Sequence, residues 1–378
     1  MPVKVIFIFS HAILALGNWL LLATVAKSYT LTEAGDYNLV LACLTPIFLF
    51  CSFHLKNYFL AKEGSEKNFS NFVLNRSLGV LISLFGAIVV ASYMGVVNQF
   101  FWGVFLLKSS EVFFELPFMF EHKSDRLGRT SFLHILRSLL VYGTLIYLLA
   151  GEAGVLYSFS VASLASYIGT AIYLWKLKNI SWSFSYLEVF RLFKSTFWLG
   201  GSASLLSLNV SLPRIFLAYT MGKEAIAIYS VSFAFYSIWQ LFFNSYLNAI
   251  LPKFSQTGLK DKVIFPLAIF LVGSCVFYFF DDEIYSLVFG NDYLAASELT
   301  PGLLCSVFLS FFSSYFFYDF MSKGDFEVHF KLNLAALGAH AIVLYPMILM
   351  YGLKACYYSW IAALIVQCGL YWSKRPIS

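Results

Sequence analysis

Apolar stretches of about twenty residues recur along the whole chain, with short polar segments between them. An α-helix needs about twenty consecutive apolar residues to cross a bilayer, so each stretch predicts a transmembrane helix. Six of them precede a longer polar segment at 176–194 and six follow it. The approximate spans are 5–26, 37–55, 74–95, 99–120, 132–150, 154–175, 195–218, 225–248, 263–280, 301–321, 330–351 and 354–373. The pattern therefore predicts an all-α integral membrane protein of about twelve transmembrane helices.

The first apolar stretch has some features of a secretory signal peptide. Lys4 precedes it, and Thr24-Val25-Ala26 resembles a small-residue cleavage site. The apolar run is longer than the roughly 7–15 residues of a signal peptide, and it matches the thickness of a membrane. We therefore interpret it as the first transmembrane helix.

Composition agrees with this assignment and narrows the class of protein. Of the 378 residues, 60% are hydrophobic and 12% are charged, whereas an ordinary soluble domain has about 25% charged residues. The net charge of +5 would suggest a nucleic-acid partner in a soluble protein. In a polytopic membrane protein, cytoplasmic loops accumulate Lys and Arg, so the charge is explained without nucleic acid.

The basic residues also predict the orientation of the chain. With the N-terminus inside, only Lys27, Arg214, Lys223 and Lys354 fall in outside segments and Lys108 falls within a span. The remaining 20 of the 25 basic residues (25 − 4 − 1) then lie in cytoplasmic segments. This asymmetry predicts that both termini are cytoplasmic.

The two halves of the chain contain a related pattern. Tyr29-Thr30, Glu33-Ala34 and Tyr37 recur as Tyr219-Thr220, Glu224-Ala225 and Tyr229, in each case between the first and second helix of a half. Internal repeats are common in transporters, and an even number of helices per half keeps both halves in the same orientation. We expect an N-terminal six-helix bundle at 1–178, a cytoplasmic amphipathic connector at 179–194 and a C-terminal six-helix bundle at 195–378.

A polar stripe interrupts the fourth apolar stretch. Lys108, Glu111 and Glu115 are spaced three and four residues apart, so they share one face of a helix. Each such charge costs about 2.5–3.5 kcal/mol at the centre of an inserted helix, so charges there usually pair within a bundle or line a pathway. Two readings remain open for Lys108, a structural ion pair with Glu111 and a contact with substrate. The carboxylates are also candidates for proton coupling.

Other polar residues within the spans are weaker candidates. Arg137 and Arg214 lie near helix ends, where anchoring to head groups would also explain them. His11, His134 and His340 share no metal-ligand spacing, so no metal site is predicted. Pro46, Pro117, Pro213 and Pro346 predict interruptions of their helices. The complete set of candidates comprises the cations Lys108, Arg137 and Arg214 and the polar or coupling residues Glu111, Glu115, Asp319, His340 and Asn209.

Three stretches resemble a known family. They are Asn209-Val-Ser-Leu-Pro213-Arg214 with Met221-Gly222-Lys223-Glu224-Ala225, then Leu31-Thr32-Glu33-Ala34-Gly35-Asp36-Tyr37, and Leu287-Val-Phe-Gly290-Asn-Asp-Tyr293. They resemble the seventh-helix signature, the first outer loop and the short outer helix of Wzx-type polysaccharide flippases. These flippases belong to the multidrug/oligosaccharidyl-lipid/polysaccharide exporter superfamily.

The resemblance implies a MATE-like fold, with two six-helix bundles around a central cavity. It implies that the substrate is an O-antigen or other surface-polysaccharide repeat unit on undecaprenyl diphosphate. Such a unit would move from the cytoplasmic to the outer leaflet of the bacterial inner membrane by alternating access. Besides the bilayer, the implied partners are H⁺ or Na⁺ as a coupling ion, a polysaccharide polymerase and a chain-length regulator. Cations in the cavity would hold the diphosphate.

Two other functions compete with this reading. An ion-coupled multidrug exporter of the same superfamily would favour unpaired carboxylates for organic cations, whereas a flippase needs cations for phosphate. A membrane polysaccharide polymerase is less favoured, because no predicted outer loop exceeds about twenty residues. The chain also has no phosphate-binding Gly-Lys-Ser/Thr loop for ATP, so we predict neither an enzyme nor a cofactor.

Overall fold

The computed structural model describes residues 3–52, 55–61, 69–123, 127–176, 185–250, 260–323 and 326–373. Every regular element in these ranges is helical. The α-helices are α1 Val3–Ser28, α2 Leu31–Ser52, α3 Leu55–Ala61, α4 Phe69–Tyr93, α5 Gln99–Lys123, α6 Leu127–Ala150, α7 Val155–Lys176, α8 Tyr186–Thr220, α9 Lys223–Ile250, α10 Phe265–Phe279, α11 Asp281–Phe289, α12 Thr300–Lys323, α13 Phe326–Tyr351 and α14 Ala355–Ser373. A π-helical turn, Lys260–Ile264, precedes α10, and 3₁₀ segments Asn291–Leu299 and Gly352–Lys354 precede α12 and α14.

The predicted spans correspond one to one with α1, α2, α4 to α10 and α12 to α14, so the all-α fold prediction is confirmed. The stretch 287–293, which the resemblance interpreted as a short outer helix, covers the end of α11, Gly290 and the start of the 3₁₀ segment Asn291–Leu299. Helix α3, of seven residues, was not predicted because it is far too short to give a membrane-spanning signal. The four prolines lie inside continuous helices, so they do not divide them.

Length and composition alone mark eight helical stretches of the described chain as able to cross a membrane, one of which, Glu327–Ser373, joins α13 and α14. Helix α5 is not among them. Its central turns carry Lys108, Glu111 and Glu115, so every 18-residue window in it contains at least three charges. The helix that carries the predicted polar stripe is therefore among those that this criterion omits, together with α1 and α8.

Two compact units divide the chain. The first unit comprises Met1–Leu21 and Val40–Leu208, and α5 packs along α7 within it. One of its aromatic and aliphatic clusters joins α3, α4, α5 and the start of α8, through Leu55, Phe59, Phe69, Phe72, Leu116, Met119 and Leu192. The Phe59 and Phe72 rings meet edge to face with centroids 4.9 Å apart, a favoured aromatic geometry.

The second unit comprises Leu22–Leu39 and Asn209–Ser378. Its densest packing lies within the α13–α14 hairpin and between α12 and both α14 and α9. Aromatic pairs fill the spaces between these helices, including Phe243 with Phe311 at 4.8 Å and Phe235 with Phe277 at 4.5 Å between centroids. Helices α1, α2 and α8 each contribute to both units.

Polar contacts join the segment Leu22–Leu39 to the rest of the second unit. Lys27 Nζ donates to the Leu287 carbonyl oxygen at 2.8 Å, and Asp36 Oδ1 lies 2.7 Å from Lys223 Nζ. A Cβ on Gly35 would lie 2.1 Å from the Lys223 carbonyl oxygen, so only glycine fits at this approach. Two of the stretches that carry the family resemblance are thus in direct contact.

The turns at both ends of this contact have local causes. Thr30 and Glu33 form a reciprocal capping box at the start of α2, with Thr30 N donating to Glu33 Oε2 at 3.0 Å and Glu33 N donating to Thr30 Oγ1 at 3.3 Å. Helix α8 ends at Thr220, and Gly222, two residues later, has a φ of +87°, the left-handed conformation that favours glycine after a helix.

The predicted connector is only partly described. Residues 177–184 lie outside the described ranges, and 186–194 form the first turns of α8 rather than a separate helix. Val189 and Leu192 are buried, whereas Tyr186, Leu187 and Phe190 are exposed. With 35 residues α8 is about 52 Å long at 1.5 Å per residue, well beyond the roughly 30 Å of a hydrocarbon core. The bundle boundaries at 178 and 195 remain a prediction.

Candidate functional site

A cluster of charged side chains lies between α5 and α6 in the first unit. Lys108 Nζ donates to Glu111 Oε2 at 3.0 Å, and Arg137 Nη2 lies 3.9 Å from Glu111 Oε1. The Tyr142 hydroxyl lies 2.8 Å from Glu111 Oε1 and 2.9 Å from Asn18 Oδ1 of α1. Its single proton serves one oxygen at a time, and the charged carboxylate is the stronger acceptor. We call Lys108, Glu111, Arg137 and Tyr142 the α5–α6 charge cluster.

Arg137 is the most enclosed cation of this cluster. Its side chain is 7% exposed, its Nε donates to Ser166 Oγ of α7 at 3.1 Å, and its guanidinium lies 5.0 Å from the centroid of the Phe114 ring. Nη2 has no hydrogen-bond partner among the described residues. The nitrogens of a guanidinium group are well suited to hydrogen bonds with carboxylate and phosphate oxygens.

Glu115 pairs with a residue that the sequence did not mark as a candidate. Its Oε2 contacts Arg76 Nη2 of α4, and the Arg76 side chain is 1% exposed. Lys56 lies with its Nζ 4.1 Å from the centroid of the Phe118 ring and interacts electrostatically with Glu115 and Arg76. Arg76 was among the 20 basic residues assigned to cytoplasmic segments, but it lies two turns into α4, which begins at Phe69.

A cavity of about 340 Å³ adjoins Arg137 in the same unit. It lies among α5, α6 and α7, and most of its lining is apolar, with Leu136, Leu140 and Ile172 exposed at its edges. The polar atoms in it come from Arg137, Ser166, Thr170, Tyr173 and Lys176. Thr170 is 4% exposed and its Oγ1 has no hydrogen-bond partner in the described part of the chain.

The third predicted cation, Arg214, lies in the second unit. Its Nε donates to Ser230 Oγ at 2.8 Å, and its guanidinium lies 4.8 Å from the Phe233 centroid and 5.8 Å from the Tyr229 centroid. No carboxylate of a described residue lies within 4.0 Å of it. Aromatic faces stabilise the cation in place of a counter-charge.

His340 and Asn209 are in direct contact, as members of one buried network. His340 Nδ1 lies 2.6 Å from Asn209 Oδ1 of α8, and His340 Nε2 lies 3.2 Å from Ser359 Oγ of α14. The His340 side chain is fully buried, and its ring centroid lies 5.2 Å from that of Trp360. Asp319 is half-buried near the end of α12 and does not contact either ring nitrogen of His340.

A second buried network on α13 and α14 was missed at the sequence level. His329 Nε2 accepts from Asn333 Nδ2 at 3.0 Å, and its Nδ1 contacts the Tyr371 hydroxyl. Gln367 Nε2 donates to Asn333 Oδ1 at 2.9 Å, and Gln367 Oε1 accepts from Ser313 Oγ at 2.9 Å. Neutral polar residues spaced along apolar helices give no signal comparable to a charge.

The histidines do not come together with other possible metal ligands in the described part of the chain. No group of three or more His, Cys, Asp or Glu side chains is assembled there. His134 of α6 is buried and packs against the Phe118 ring at 4.7 Å between centroids. The side chain of His11 lies outside the described part.

The fold and the apolar helices define a multi-pass, all-α membrane protein. The chain superposes on the lipid II flippase MurJ, in an inward closed conformation, with a TM-score of 0.73 at 14% sequence identity, over 97% of this chain and 86% of that one. It superposes on the MATE multidrug transporter DinF-BH with a TM-score of 0.66 at 13% identity, over 98% of this chain and 93% of that one. The fold is therefore that of the MATE and MurJ transporters.

One curated relative is similar in sequence over nearly its whole length. It is the capsular polysaccharide biosynthesis protein CapF of Staphylococcus aureus, which is 27% identical over 365 residues, covering 90% of each protein. No family model matches the chain. The predicted resemblance to polysaccharide flippases is confirmed, with the transporter fold from the structural neighbours and the link to polysaccharide from this relative.

Proposed function

We propose that this protein is a flippase for oligosaccharide repeat units linked to undecaprenyl diphosphate. It moves them from the cytoplasmic to the outer leaflet of a bacterial inner membrane by alternating access of two bundles. The transporter fold and the relationship to a capsular polysaccharide biosynthesis protein support this function. The observation that carries it is the surplus of positive charge in the α5–α6 charge cluster.

The cluster contains two cations and one carboxylate. Glu111 is shared by Lys108 at 3.0 Å and Arg137 at 3.9 Å, so the group keeps a net charge of +1. Glu115 does not neutralise it, because its partner is Arg76. A lone surplus charge in a membrane-embedded unit is costly, so its presence indicates an anion that binds there at some stage.

A diphosphate supplies that anion. Its oxygens accept charge-assisted hydrogen bonds from ammonium and guanidinium groups, and arginine can bind two phosphate oxygens at once. Lys108 is 21% exposed, so its ammonium group remains reachable while still hydrogen-bonded to Glu111. Lys108 and Arg137 therefore form the proposed diphosphate site. Arg214, which has no carboxylate partner among the described residues, is a further candidate in the second unit.

A drug exporter for organic cations fits these contacts less well. Such a substrate needs a carboxylate whose charge is not already neutralised. Glu111 and Glu115, the two carboxylates in the middle of α5, are both in ion pairs. The coupling ion, H⁺ or Na⁺, and assembly with a polymerase and a chain-length regulator are parts of the same proposal, as is the cytoplasmic location of both termini.

Substitution of Lys108 tests the proposal. A bacterial strain without its own repeat-unit flippase, complemented with this protein, should regain surface polysaccharide. Lys108→Met should abolish this recovery while the protein still accumulates in the membrane, and Lys108→Arg should keep part of it. Lys331→Met is the matched control, because Lys331 forms an exposed ion pair with Glu327 at 2.7 Å on α13. Normal export by Lys108→Met would refute the assignment of Lys108.

Reporter fusions test the orientation independently. Fusions at Lys123 and Lys260 should report the cytoplasm, whereas fusions at Glu33, Glu152 and Asn291 should report the outside. A reversed result at the last three positions would overturn the orientation, and with it the direction of transport.

A further inference from the structure

We propose that the cavity between α6 and α7 is a binding site for a polyprenyl phosphate. The phosphate would bind to Arg137 and Thr170, and the start of the isoprenoid chain would pack against the apolar wall. We call this cavity the α6–α7 cleft and define it by Phe114, Leu136, Arg137, Leu140, Gly169 and Thr170. The choice of a polyprenyl chain rests on the proposed function, whereas the phosphate contacts rest on the cleft alone.

The wall of the cleft suits a hydrocarbon chain. Leu136 is 41% exposed and Leu140 is 53% exposed, although both line a concave surface. Exposed leucines in a membrane protein meet hydrocarbon without the penalty that water would impose. At about 340 Å³ the cleft lies at the lower end of the range of ligand pockets. It therefore accommodates part of one chain rather than a whole lipid.

Two buried polar atoms in the cleft can form further hydrogen bonds. Arg137 Nη2 and Thr170 Oγ1 have no hydrogen-bond partner among the described residues, and both side chains are more than nine-tenths buried. A buried polar atom without a partner costs about 1–3 kcal/mol, so two in one cavity point to a ligand with several acceptors. Ser166, which accepts from Arg137 Nε, stands one helical turn from Thr170 on the same face of α7.

The occupant should be a phosphate rather than a neutral group. Glu111 is the carboxylate nearest to Arg137, and Lys108 already shares it at shorter distance. Glu111 therefore does not fully balance the positive charge of Arg137. A phosphate oxygen within reach of Arg137 Nη2 would complete its coordination, and another oxygen could accept from Thr170 Oγ1.

The approach to this site is marked by a second cation. Lys176 lines the same cavity and follows Ser166 by ten residues along α7, a rise of about 15 Å. In the proposed orientation the end of α7 faces the cytoplasm. Lys176 would then attract a phosphate from the cytoplasmic head-group region toward Arg137, while the chain follows along the apolar wall.

A larger side chain in place of Gly169 would fill the cleft while every polar atom of the site is kept. A Cβ at this position would meet nothing within 4 Å, so a larger side chain can extend into the open space without strain in the packed helices. Gly143 on α6 is the matched control, because it is also exposed with open space around its Cβ but does not line the cleft.

The experiment uses the full-length protein in phosphatidylcholine nanodiscs and a farnesyl phosphate probe with a photoreactive group. The wild-type protein should bind the probe and cross-link to peptides from α6 and α7. Gly169→Leu should weaken binding at least about tenfold, since the chain is excluded, whereas Gly143→Leu should change it less than about twofold. Thr170→Val should weaken it about tenfold, because one hydrogen bond to a charged group is lost.

Several results would overturn the inference. Unchanged affinity in Gly169→Leu, or cross-links confined to other helices, would show that the cleft is not the binding site. If farnesol bound as tightly as the farnesyl phosphate probe, the cleft would not recognise the phosphate. If inorganic phosphate competed as well as the unlabelled probe, the cleft would bind an ion but not an isoprenoid chain. Equal competition by phosphatidylglycerol would make it a general lipid site rather than a polyprenyl site.

The two proposals fail in different ways. If Gly169→Leu binds the probe normally while Lys108→Met blocks export, the cleft is wrong and the proposed function stands. If the wild-type protein binds the probe in the cleft but restores no surface polysaccharide, the proposed function is wrong and the lipid-phosphate site stands.

Discussion

Replacing Glu111 should destabilise the protein more than replacing Lys108, although these two side chains form the shortest ion pair of the α5–α6 charge cluster. After Lys108→Met, Glu111 keeps Arg137 at 3.9 Å and the Tyr142 hydroxyl at 2.8 Å. At an effective dielectric constant of about 20, charges at that separation still attract by about 4 kcal/mol. The expected loss is that of one charge-assisted hydrogen bond, about 1.5–3 kcal/mol.

The change Glu111→Gln has a different consequence. It leaves Lys108 and Arg137 facing each other without a counter-charge, and the amide cannot neutralise either. Breaking a buried ion pair at one partner costs about 3–5 kcal/mol. Lys108 is 21% exposed and can gain some solvation, but Arg137 is 7% exposed and cannot. We therefore expect a loss in the upper part of that range.

Thermal unfolding in detergent and abundance in the membrane measure the difference. Lys331→Met and Glu327→Gln provide the baseline, because their ion pair on α13 is 66% and 57% exposed and such pairs contribute at most about 1 kcal/mol. Equal melting temperatures for Glu111→Gln and Lys108→Met, or a lower one for Lys108→Met, would refute the interaction of Glu111 with both cations of the α5–α6 charge cluster.

A charge exchange between positions 108 and 111 makes the test sharper. The double variant Lys108→Glu/Glu111→Lys keeps an isolated pair at the same helical spacing, so it should be harmless if only two residues interact. With Arg137 in the cluster, the new lysine at 111 meets a like charge. We expect poor accumulation, restored by adding Arg137→Gln. Good accumulation of the double variant without Arg137→Gln would contradict the cluster.

Three further predictions concern other contacts. Gly35→Ala should destabilise the second unit by about 1–3 kcal/mol, because its Cβ would lie 2.1 Å from the Lys223 carbonyl oxygen; an unchanged melting temperature would contradict this. Glu115→Gln should lower the melting temperature more than Arg76→Leu, since it strands a guanidinium that is 1% exposed whereas Glu115 is 41% exposed; the reverse order would refute the reasoning. His340→Leu should cost about 1–3 kcal/mol in thermal unfolding through its unsatisfied polar neighbours, and a stabilised protein would argue against the network.

Apolar stretches of about twenty residues predicted the twelve long helices, because each helix must satisfy its own backbone and present apolar side chains over the thickness of a membrane. The same signal could not predict α3, which has seven residues. It also could not predict that Leu22–Leu39 belongs to the second unit. That assignment depends on contacts such as Asp36 with Lys223, between residues far apart in sequence.

The charged stripe on α5 was predictable because its members share one helical face. Their partners were not. Arg76 and Arg137 lie on other helices, and the excess of basic residues near cytoplasmic ends explained both without any contact. An acidic residue within an apolar helix, such as Glu115, indicates that a cation lies nearby. Arg76, two turns inside α4, is the cation that pairs with it.

The polar interiors described in the two units differ in kind. The contacts around α5 are ionic, with Glu111 and Glu115 each bound to cations, whereas those of His329 and His340 join imidazole, amide and hydroxyl groups without a carboxylate. Such a network, in which each ring nitrogen already has a partner, fixes the register of α13 on α14 and gains little from an incoming charge. An ionic cluster with a surplus cation is stabilised when an anion arrives and destabilised when it leaves. We therefore predict that substitutions in the α5–α6 charge cluster alter transport, whereas those in the α13–α14 networks alter stability first.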